Sequence, residues 1–343
     1  MAVMGYRCWV SVFMFAVMSQ TEIQAQTLKK ATDFVLGTMD KVSTFFMGCD
    51  TNYVTPQKYQ FTTQAELSYF ADYYRISSSE TGRTNAITLE SGNPLTLGGY
   101  VYWGILGYGH TWTLGDDNES AYRNSFSLNT ARFLAEIYTF RSGNSAEIKS
   151  VSGVDLKGKP TKFRGLHSDC FGLNAEYIFN HKRYSWPAAF GENAVQRKAA
   201  GSWKAGFSYN KIDVELNHDL IDPSIRAEMD STLIFDKVSY HDYGLSLGYG
   251  YNWPFARNCL LAVSVLPTIG YRRSNVFSEH GFILNNLSTD LFFRASLFWN
   301  NTKYFTGVVL DIHTYAYRQQ KFAMTNSYGT LKFIMGLNFL KKR

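Results

Sequence analysis

Apolar and polar residues alternate with a period of two along most of the chain after residue 57. In the first such stretch, the odd positions from Tyr59 to Tyr69 are largely apolar and the even positions from Lys58 to Ser68 are all polar. Successive side chains of a β-strand point to opposite faces, so the pattern predicts strands that border two different media. It recurs in five later stretches, Trp203–Asn210, Asp242–Trp253, Asp290–Trp299, Lys303–His313 and Tyr328–Leu340.

The connections between these stretches alternate in length. Asn252–Asn258 and Asn300–Thr302 are short turns, whereas Ile212–Phe235, Arg273–Asn286 and Ser142–Phe163 are long polar loops. Transmembrane barrels have short turns at one end and long loops at the other, and closure of the barrel leaves no strand edge unpaired in lipid. We therefore predict an all-β fold, a single antiparallel transmembrane β-barrel over residues 57–343.

The predicted strand count is about ten, within a range of ten to twelve. Twelve strands result if Thr84–Gly92 and Ala146–Leu156 pair as extra hairpin arms. The segment Tyr184–Val195 contains Pro187, which cannot donate a backbone hydrogen bond inside a sheet. We interpret this segment as an inserted turn or an inner-wall segment; as a full strand pair, it would also raise the count to twelve.

The residues before the barrel show a different pattern. Residues 1–25 are predicted to be a secretory signal peptide, because Arg7 precedes the apolar core Cys8–Met18 and Ile23–Ala25 ends in a small residue suited to cleavage. Residues 26–56 are predicted to be a periplasmic helix and lead-in. This short amphipathic helix would plug the barrel or lie on its periplasmic rim; the alternative is a partly ordered leader. Its apolar residues at helical spacing are Leu28, Ala31, Val35, Met39 and Val42.

Composition and charge exclude several classes of function. The net charge is +6, but Lys and Arg are scattered and no basic run exceeds Lys341–Arg343, so we expect no nucleic-acid binding. The sequence contains no phosphate-binding loop, dinucleotide fingerprint, CxxC pair, HExxH or GxSxG motif. We accordingly expect no cofactor and no metal. Cys49, Cys170 and Cys259 follow the predicted signal peptide, allow at most one disulfide, and leave open whether any of them pair.

The best candidate for acid/base chemistry is His313 beside Asp311, because both are predicted to face the inside of one strand. The alternative, which we favour, is a structural polar network that fills a narrow lumen, since small barrels are packed with side chains. The predicted members of that network are Glu66, Asp290, Arg294, Lys303, Asp311, His313 and Lys332.

Three functions are compatible with these features. The first is an outer-membrane barrel with a filled lumen and a structural, adhesive or partner-binding role. The second is an outer-membrane enzyme acting on lipid or glycan, and the third is a narrow channel for small solutes. The expected partners are outer-membrane lipid, the barrel assembly machinery and, at the long outer loops, a protein or glycan.

Several motifs resemble an uncharacterised family of exported proteins from Bacteroides and relatives, domain of unknown function 4421. The matching segments are Asp50–Val54, Tyr184–Phe190, Gln196–Trp203 and Gly244–Tyr249. The resemblance spans nearly all of the chain after the signal peptide. It implies an outer-membrane barrel without an assigned activity, and it supplies no catalytic residue.

Overall fold

The computed structural model describes residues 22–78, 85–92, 95–114, 121–191, 194–229, 236–275, 285–319 and 322–342. Most of the predicted signal peptide lies outside the described residues. Helix α1 (Glu22–Phe46) covers the segment whose apolar spacing predicted a helix. Among the described residues, no helix has the length and apolar character needed to cross a membrane. The chain forms two compact units, with nearly all of α1 in the first and residues 46–342 in the second.

The described part of the second unit is almost entirely β-structure. Its strands are β1 (Val54–Pro56), β2 (Tyr59–Ser78), β3 (Asn85–Ser91), β4 (Leu95–Trp103), β5 (Leu106–Leu114), β6 (Tyr122–Asn129), β7 (Phe133–Arg141), β8 (Ser145–Val151), β9 (Lys162–Arg164), β10 (Leu166–Ile178), β11 (Ala194–Gln196), β12 (Ala200–Leu216), β13 (Lys237–Ala256), β14 (Cys259–Asn275), β15 (Asn285–Asn300), β16 (Tyr304–Gln319) and β17 (Phe322–Lys341). Three short helical segments complete it, a π-helical turn (Pro187–Gly191), a 3₁₀ turn (His218–Leu220) and α2 (Pro223–Arg226).

A closed antiparallel barrel of twelve strands is formed by β2, β4 to β7, β10 and β12 to β17, with β17 paired to β2. The predicted architecture is thereby confirmed, and the predicted count of about ten is too low. Strands β4 to β7 are only eight or nine residues long, so they give a weak alternating signal. The two predicted hairpin arms do pair with each other, as β3 and β8, but they lie outside the ring of twelve.

The alternating pattern places apolar side chains outside and polar ones inside. On β2, Gln64, Glu66 and Ser68 are at most 8% exposed, whereas Leu67 and Tyr69 are at least 40% exposed. On β13 to β16 the exterior carries the same kind of residue, including Leu245, Leu247, Trp253, Ile269, Leu291, Leu297, Trp299 and Val308. An exterior of this composition suits the acyl chains of a bilayer and is rare on the surface of a water-soluble monomer.

The sheet branches at two places. On β2, the last pair with β4 is Tyr69 with Leu95, and the first pair with β3 is Tyr73 with Glu90. On β10, pairing with β7 ends at Asp169, opposite Arg141. Below these points β2 and β10 are joined by the short panel, β4 to β7, and above them β2 is continued by the lid panel, β3, β8 and β9.

The lid panel lies at the loop end of the barrel, which is the end opposite the short turns at residues 256–259 and 300–304. Its apolar side chains pack against inward-facing residues of β12 and β13 and against α2, where Ile225 is fully buried. This apolar lid consists of Tyr74, Ile76, Ile87, Leu89, Ala146, Ile148, Val151, Phe163, Leu166, Val214, Leu216, Ile221, Ile225, Met229 and Tyr240.

A different element, the plug, fills the turn end; it comprises residues 49–56, 184–191 and 194–196. Strands β1 and β11 pair inside it, and Pro187–Gly191 forms a π-helical turn. The prediction that Tyr184–Val195 is an inserted inner segment is confirmed, because Tyr184 and Ala189 are fully buried within the barrel unit. Pro187 at the start of the helical turn explains why no ordinary strand pair forms there.

Candidate functional site

A cavity of about 370 Å³ lies in the lumen between the plug and the lid, and we call it the chamber. Trp186 and Phe190 of the plug line it at the turn end, and Tyr74 of the lid lines it at the loop end. The lumen is therefore partly filled. The strands that surround the chamber bring most of the predicted network residues to its wall.

A charged row crosses four adjacent strands, β2, β17, β16 and β15. The guanidinium of Arg294 donates to both carboxylate oxygens of Asp311, and Lys332 Nζ lies 3.4 Å from Asp311 Oδ2. The same ammonium is 3.9 Å from Glu66 Oε1. The structure thus brings together four of the predicted network residues, and their charges pair with one another.

Two further ion pairs contribute Glu176, Arg123 and Glu136 to the chamber wall. Lys204 Nζ donates to Glu176 Oε2 over 2.9 Å and lies 4.2 Å from the ring centroid of Trp186. Arg123 donates to Glu136 Oε1 over 3.0 Å. Sequence reasoning missed both pairs, because each joins strands whose relative register the alternating pattern does not specify.

His313 lies one layer nearer the lid, and Asp290 is its carboxylate partner. Its Nε2 atom is 2.6 Å from Asp290 Oδ2, and its Nδ1 atom is 2.6 Å from the hydroxyl of Tyr328. Asp311, the partner expected from the sequence, pairs with Arg294 and Lys332. Residues two apart on a strand share a face but lie nearly 7 Å apart, so cross-strand neighbours reach each other first.

Lys303 is the predicted network residue that the fold leaves outside the chamber. It lies in the short turn between β15 and β16, where it is exposed. Its Nζ atom is 5.1 Å from the ring centroid of Tyr304. Strand β16 begins only at Tyr304, so the inward-facing alternation assumed for Lys303 does not extend to it.

The chamber wall also carries polar atoms with no hydrogen-bond partner among the described residues. Asp72 is the most deeply buried of the residues concerned, at 2% exposure. In the sequence, Asp72 is the one carboxylate within the largely aromatic segment Tyr69–Tyr74. The alternating stretch that predicted the strand ends at Tyr69, so it did not include Asp72. The partnerless atoms that line the chamber are Gln64 Oε1, Asp72 Oδ1, Ser91 Oγ, Asp290 Oδ1 and Asn326 Oδ1.

Aromatic rings surround this upper part of the chamber. The ring centroid of Phe70 is 5.7 Å from that of Phe140 and 5.8 Å from that of Tyr328. Tyr315 and Tyr328 are 6.1 Å apart by the same measure, and both rings flank His313. The upper chamber therefore combines partnerless oxygen atoms with flat apolar faces, which is the composition of a ligand site.

One part of the chamber wall lies where the lid panel meets the short panel, and we call this part the side gap. Small residues line it there: Ser91 and Gly92 on the lid panel, Ala121 beside the short panel, and Ser142 and Gly143 between the panels.

The described part of the chain was compared with the arrangements that hold metal ions and with those that form disulfides. No group of three or more His, Cys, Asp or Glu side chains there has an arrangement that could hold a metal ion. Cys49, Cys170 and Cys259 are free thiols. Cys170 faces the chamber, so its thiol can report on access to the lumen.

The chain belongs to the family described as Domain of unknown function (DUF4421), whose model matches residues 49–339. This match covers the plug and the whole barrel apart from its last residues. Among curated proteins, none matches the chain.

Several solved structures share the barrel architecture at low similarity. The outer membrane protease OmpT from Escherichia coli is 8% identical with a TM-score of 0.38, and the alignment covers 84% of this chain and 100% of that one. An outer membrane channel from Pseudomonas putida F1 is 10% identical with a TM-score of 0.32, covering 82% and 99%. The P. putida toluene transporter TodX is 6% identical with a TM-score of 0.26, covering 82% and 90%. Likeness at this level assigns no role to any residue of this chain.

Proposed function

We propose that this protein is an outer-membrane barrel that binds a small ligand in its chamber and does not conduct solutes along its axis. The observation that carries the proposal is the chamber itself, about 370 Å³ in volume and bounded by the plug and the apolar lid. A cavity of this size accommodates a small molecule. The two closures oppose the alternative of an open channel.

The proposed location is the bacterial outer membrane, reached by way of the predicted signal peptide. The apolar exterior of the closed barrel supports a lipid environment. The barrel assembly machinery and outer-membrane lipid are accordingly its proposed partners, and the family resemblance suggests a host among Bacteroides and relatives. A protein or glycan partner at the long loops is a further part of the proposal.

Conductance measurements in planar lipid bilayers test the absence of an axial pore. We expect the full mature protein to give no stable conductance steps, with a general porin in the same bilayers as the positive control. Flotation of proteoliposomes verifies that the barrel has inserted. Regular steps from the inserted wild-type protein would refute a closed lumen.

A second candidate function, an outer-membrane enzyme acting on lipid or glycan, is favoured by the contacts of His313. A histidine held between a carboxylate and a tyrosine hydroxyl has the arrangement of an oriented general base. If this candidate is right, His313→Ala abolishes hydrolysis of a phospholipid or lipopolysaccharide panel, while the outward-facing His241→Ala retains it. Full activity in His313→Ala excludes His313 as the catalytic base.

A further inference from the structure

Asp72 occupies the branch point of β2. The strand pairs with β4 up to Tyr69 and with β3 from Tyr73, so Asp72 falls in the interval between the two panels. Its side chain faces the chamber, and the residue is 2% exposed. A buried carboxylate therefore lies on the β2 side of the point where the panels separate.

This carboxylate has no basic partner among the described residues. Tyr74 supplies a side-chain hydrogen bond to it, and Oδ1 has no partner. An ionised carboxylate taken out of water is costly unless a positive charge or several hydrogen bonds compensate it. The structure thus leaves in the wall of a cavity a buried carboxyl group whose ionised form only an incoming positive charge would compensate.

The positive charges of the chamber are committed elsewhere. Each of the four cationic side chains that line it has a carboxylate partner: Arg123 with Glu136, Arg141 with Asp169, Arg294 with Asp311, and Lys332 with Asp311 and Glu66. A phosphate or carboxylate ligand would have to break one of these pairs. The balance of charge in the upper chamber instead favours a cation.

The immediate neighbours of Asp72 suit an ammonium group with an apolar body. Phe70 and Tyr74 are its same-face neighbours on β2, and Tyr328 lies directly opposite on β17. Aromatic faces attract ammonium groups, most strongly where water is excluded. The partnerless oxygens of Ser91, Asn326 and Asp290 on the chamber wall provide further acceptors for N–H donors.

We infer that the chamber binds a primary amine in its protonated form, with Asp72 as the ion-pair partner of the ammonium group and the surrounding rings in contact with its apolar body. This inference rests on the proposed binding function and adds the chemical class of the ligand. The amine enters through the side gap, which the branching of the sheet places next to Asp72.

Isothermal titration calorimetry of the detergent-solubilised protein tests this assignment with three probes of similar size and different charge. They are 2-phenylethylamine, the neutral 2-phenylethanol and the anionic 3-phenylpropionate, each titrated also into protein-free micelles. We expect measurable binding of the amine and little or none of the alcohol or the acid. Equal binding of the alcohol and the amine, or preferred binding of the acid, would overturn the inference.

Two substitutions locate the site. Asp72→Asn keeps the shape of the side chain and removes its charge, so amine affinity should fall by about thirtyfold, as for loss of one partner of a buried charge pair. Asp213→Asn, on β12 outside the chamber, is the matched control and should leave the affinity unchanged. Heat-modifiable migration on gels confirms that both variants are folded. Undiminished amine binding in Asp72→Asn contradicts the role of Asp72.

The outcomes separate this inference from the proposed function. A barrel that shows no conductance and binds none of the three probes remains a closed barrel, and only the amine assignment fails. Conductance steps from the inserted barrel would refute the proposed closed lumen, whichever probes the protein binds.

Discussion

The elements at the two ends of the lumen, the lid and the plug, are held in place by different combinations of interactions. At the loop end, the apolar lid buries Ile87, Leu89 and Ile225 completely, and its stability comes from removing apolar surface from water. At the turn end, the plug also buries apolar side chains, and directional hydrogen bonds add to this burial: Asn252 Nδ2 donates to Ser185 O over 2.8 Å and Ser296 Oγ to Ala189 O over 2.7 Å. The lid is stabilised mainly by the apolar surface that it buries, whereas the plug combines apolar burial with matched donors and acceptors.

The largest effect is expected from a cavity in the lid. Leu89→Ala should lower the free energy of unfolding by roughly 2–5 kcal/mol, because the surrounding strands cannot collapse fully around the lost side chain. Urea titration monitored by heat-modifiable migration measures it. Leu245→Ala removes a similar side chain from the lipid-facing wall, where 70% of the residue is exposed, and is the matched control. Equal losses in both variants would mean that the lid is not a packed core.

A smaller effect is expected from loss of the hydrogen bonds of Gln196 in the plug. Its Nε2 atom donates to Arg183 O over 2.7 Å and to Lys198 O over 2.8 Å, and its Oε1 atom accepts from Ser185 N and Asn252 Nδ2. Gln196→Leu should destabilise the plug by roughly 1–3 kcal/mol for each buried group left without a partner. The barrel itself should remain folded.

Cys49 reports release of the plug. Burial, together with the negative charge of Asp50, raises the pKa of the Cys49 thiol above its ordinary value. When the plug loosens in Gln196→Leu, this pKa should fall and the thiolate fraction at pH 8 should rise. Faster alkylation of Cys49 by iodoacetamide, in a background with Cys170 and Cys259 changed to Ser, is the expected result. An unchanged rate would show that Gln196 does not hold the plug.

The smallest effect concerns the loop that supplies α2 to the lid. Hydrogen bonds from the side chain and backbone of Ser224 lower the pKa of Asp222, which caps α2. The stabilisation that the ionised Asp222 carboxylate gives the loop is full above the ordinary Asp pKa of about 3.9, and it is lost as the pH falls through the lowered pKa. In Asp222→Ala, hydrogen exchange of residues 217–229 should be faster at pH 7, and the difference from wild type should vanish in strong acid. A difference that persists in acid would argue against a role for the ionised carboxylate.

Much of the fold was predictable because the period of two persists over long strands. The stretches from Tyr59 to Tyr69 and from Asp242 to Trp253 each gave the inward and outward faces without any knowledge of their neighbours. The short strands β4 to β7 contain too few alternating positions to be recognised, so the sequence predicted fewer strands than the barrel has. The branch of β2 is a property of pairing beyond Tyr69, which no local pattern encodes.

The candidate site was less predictable, because its contacts cross between strands. Asp311 and His313 share a face, yet Arg294 lies directly opposite Asp311 on β15 and pairs with it. Register depends on the whole sheet, so the partner of His313 could not be identified from its own strand. Asp72 was missed for the same reason: its significance comes from the divergence of two panels, each distant from it in sequence.

Labelling of Cys170 tests most directly the proposal that a ligand reaches the chamber through the side gap and not along the barrel axis. In a variant with Cys49 and Cys259 changed to Ser, we expect a small maleimide to reach Cys170 in the folded barrel. Ala121→Trp, which narrows the side gap, should slow the labelling strongly, and Gln196→Leu should change it little. Labelling that ignores Ala121→Trp and accelerates in Gln196→Leu would show that the chamber opens along the axis, contrary to this account.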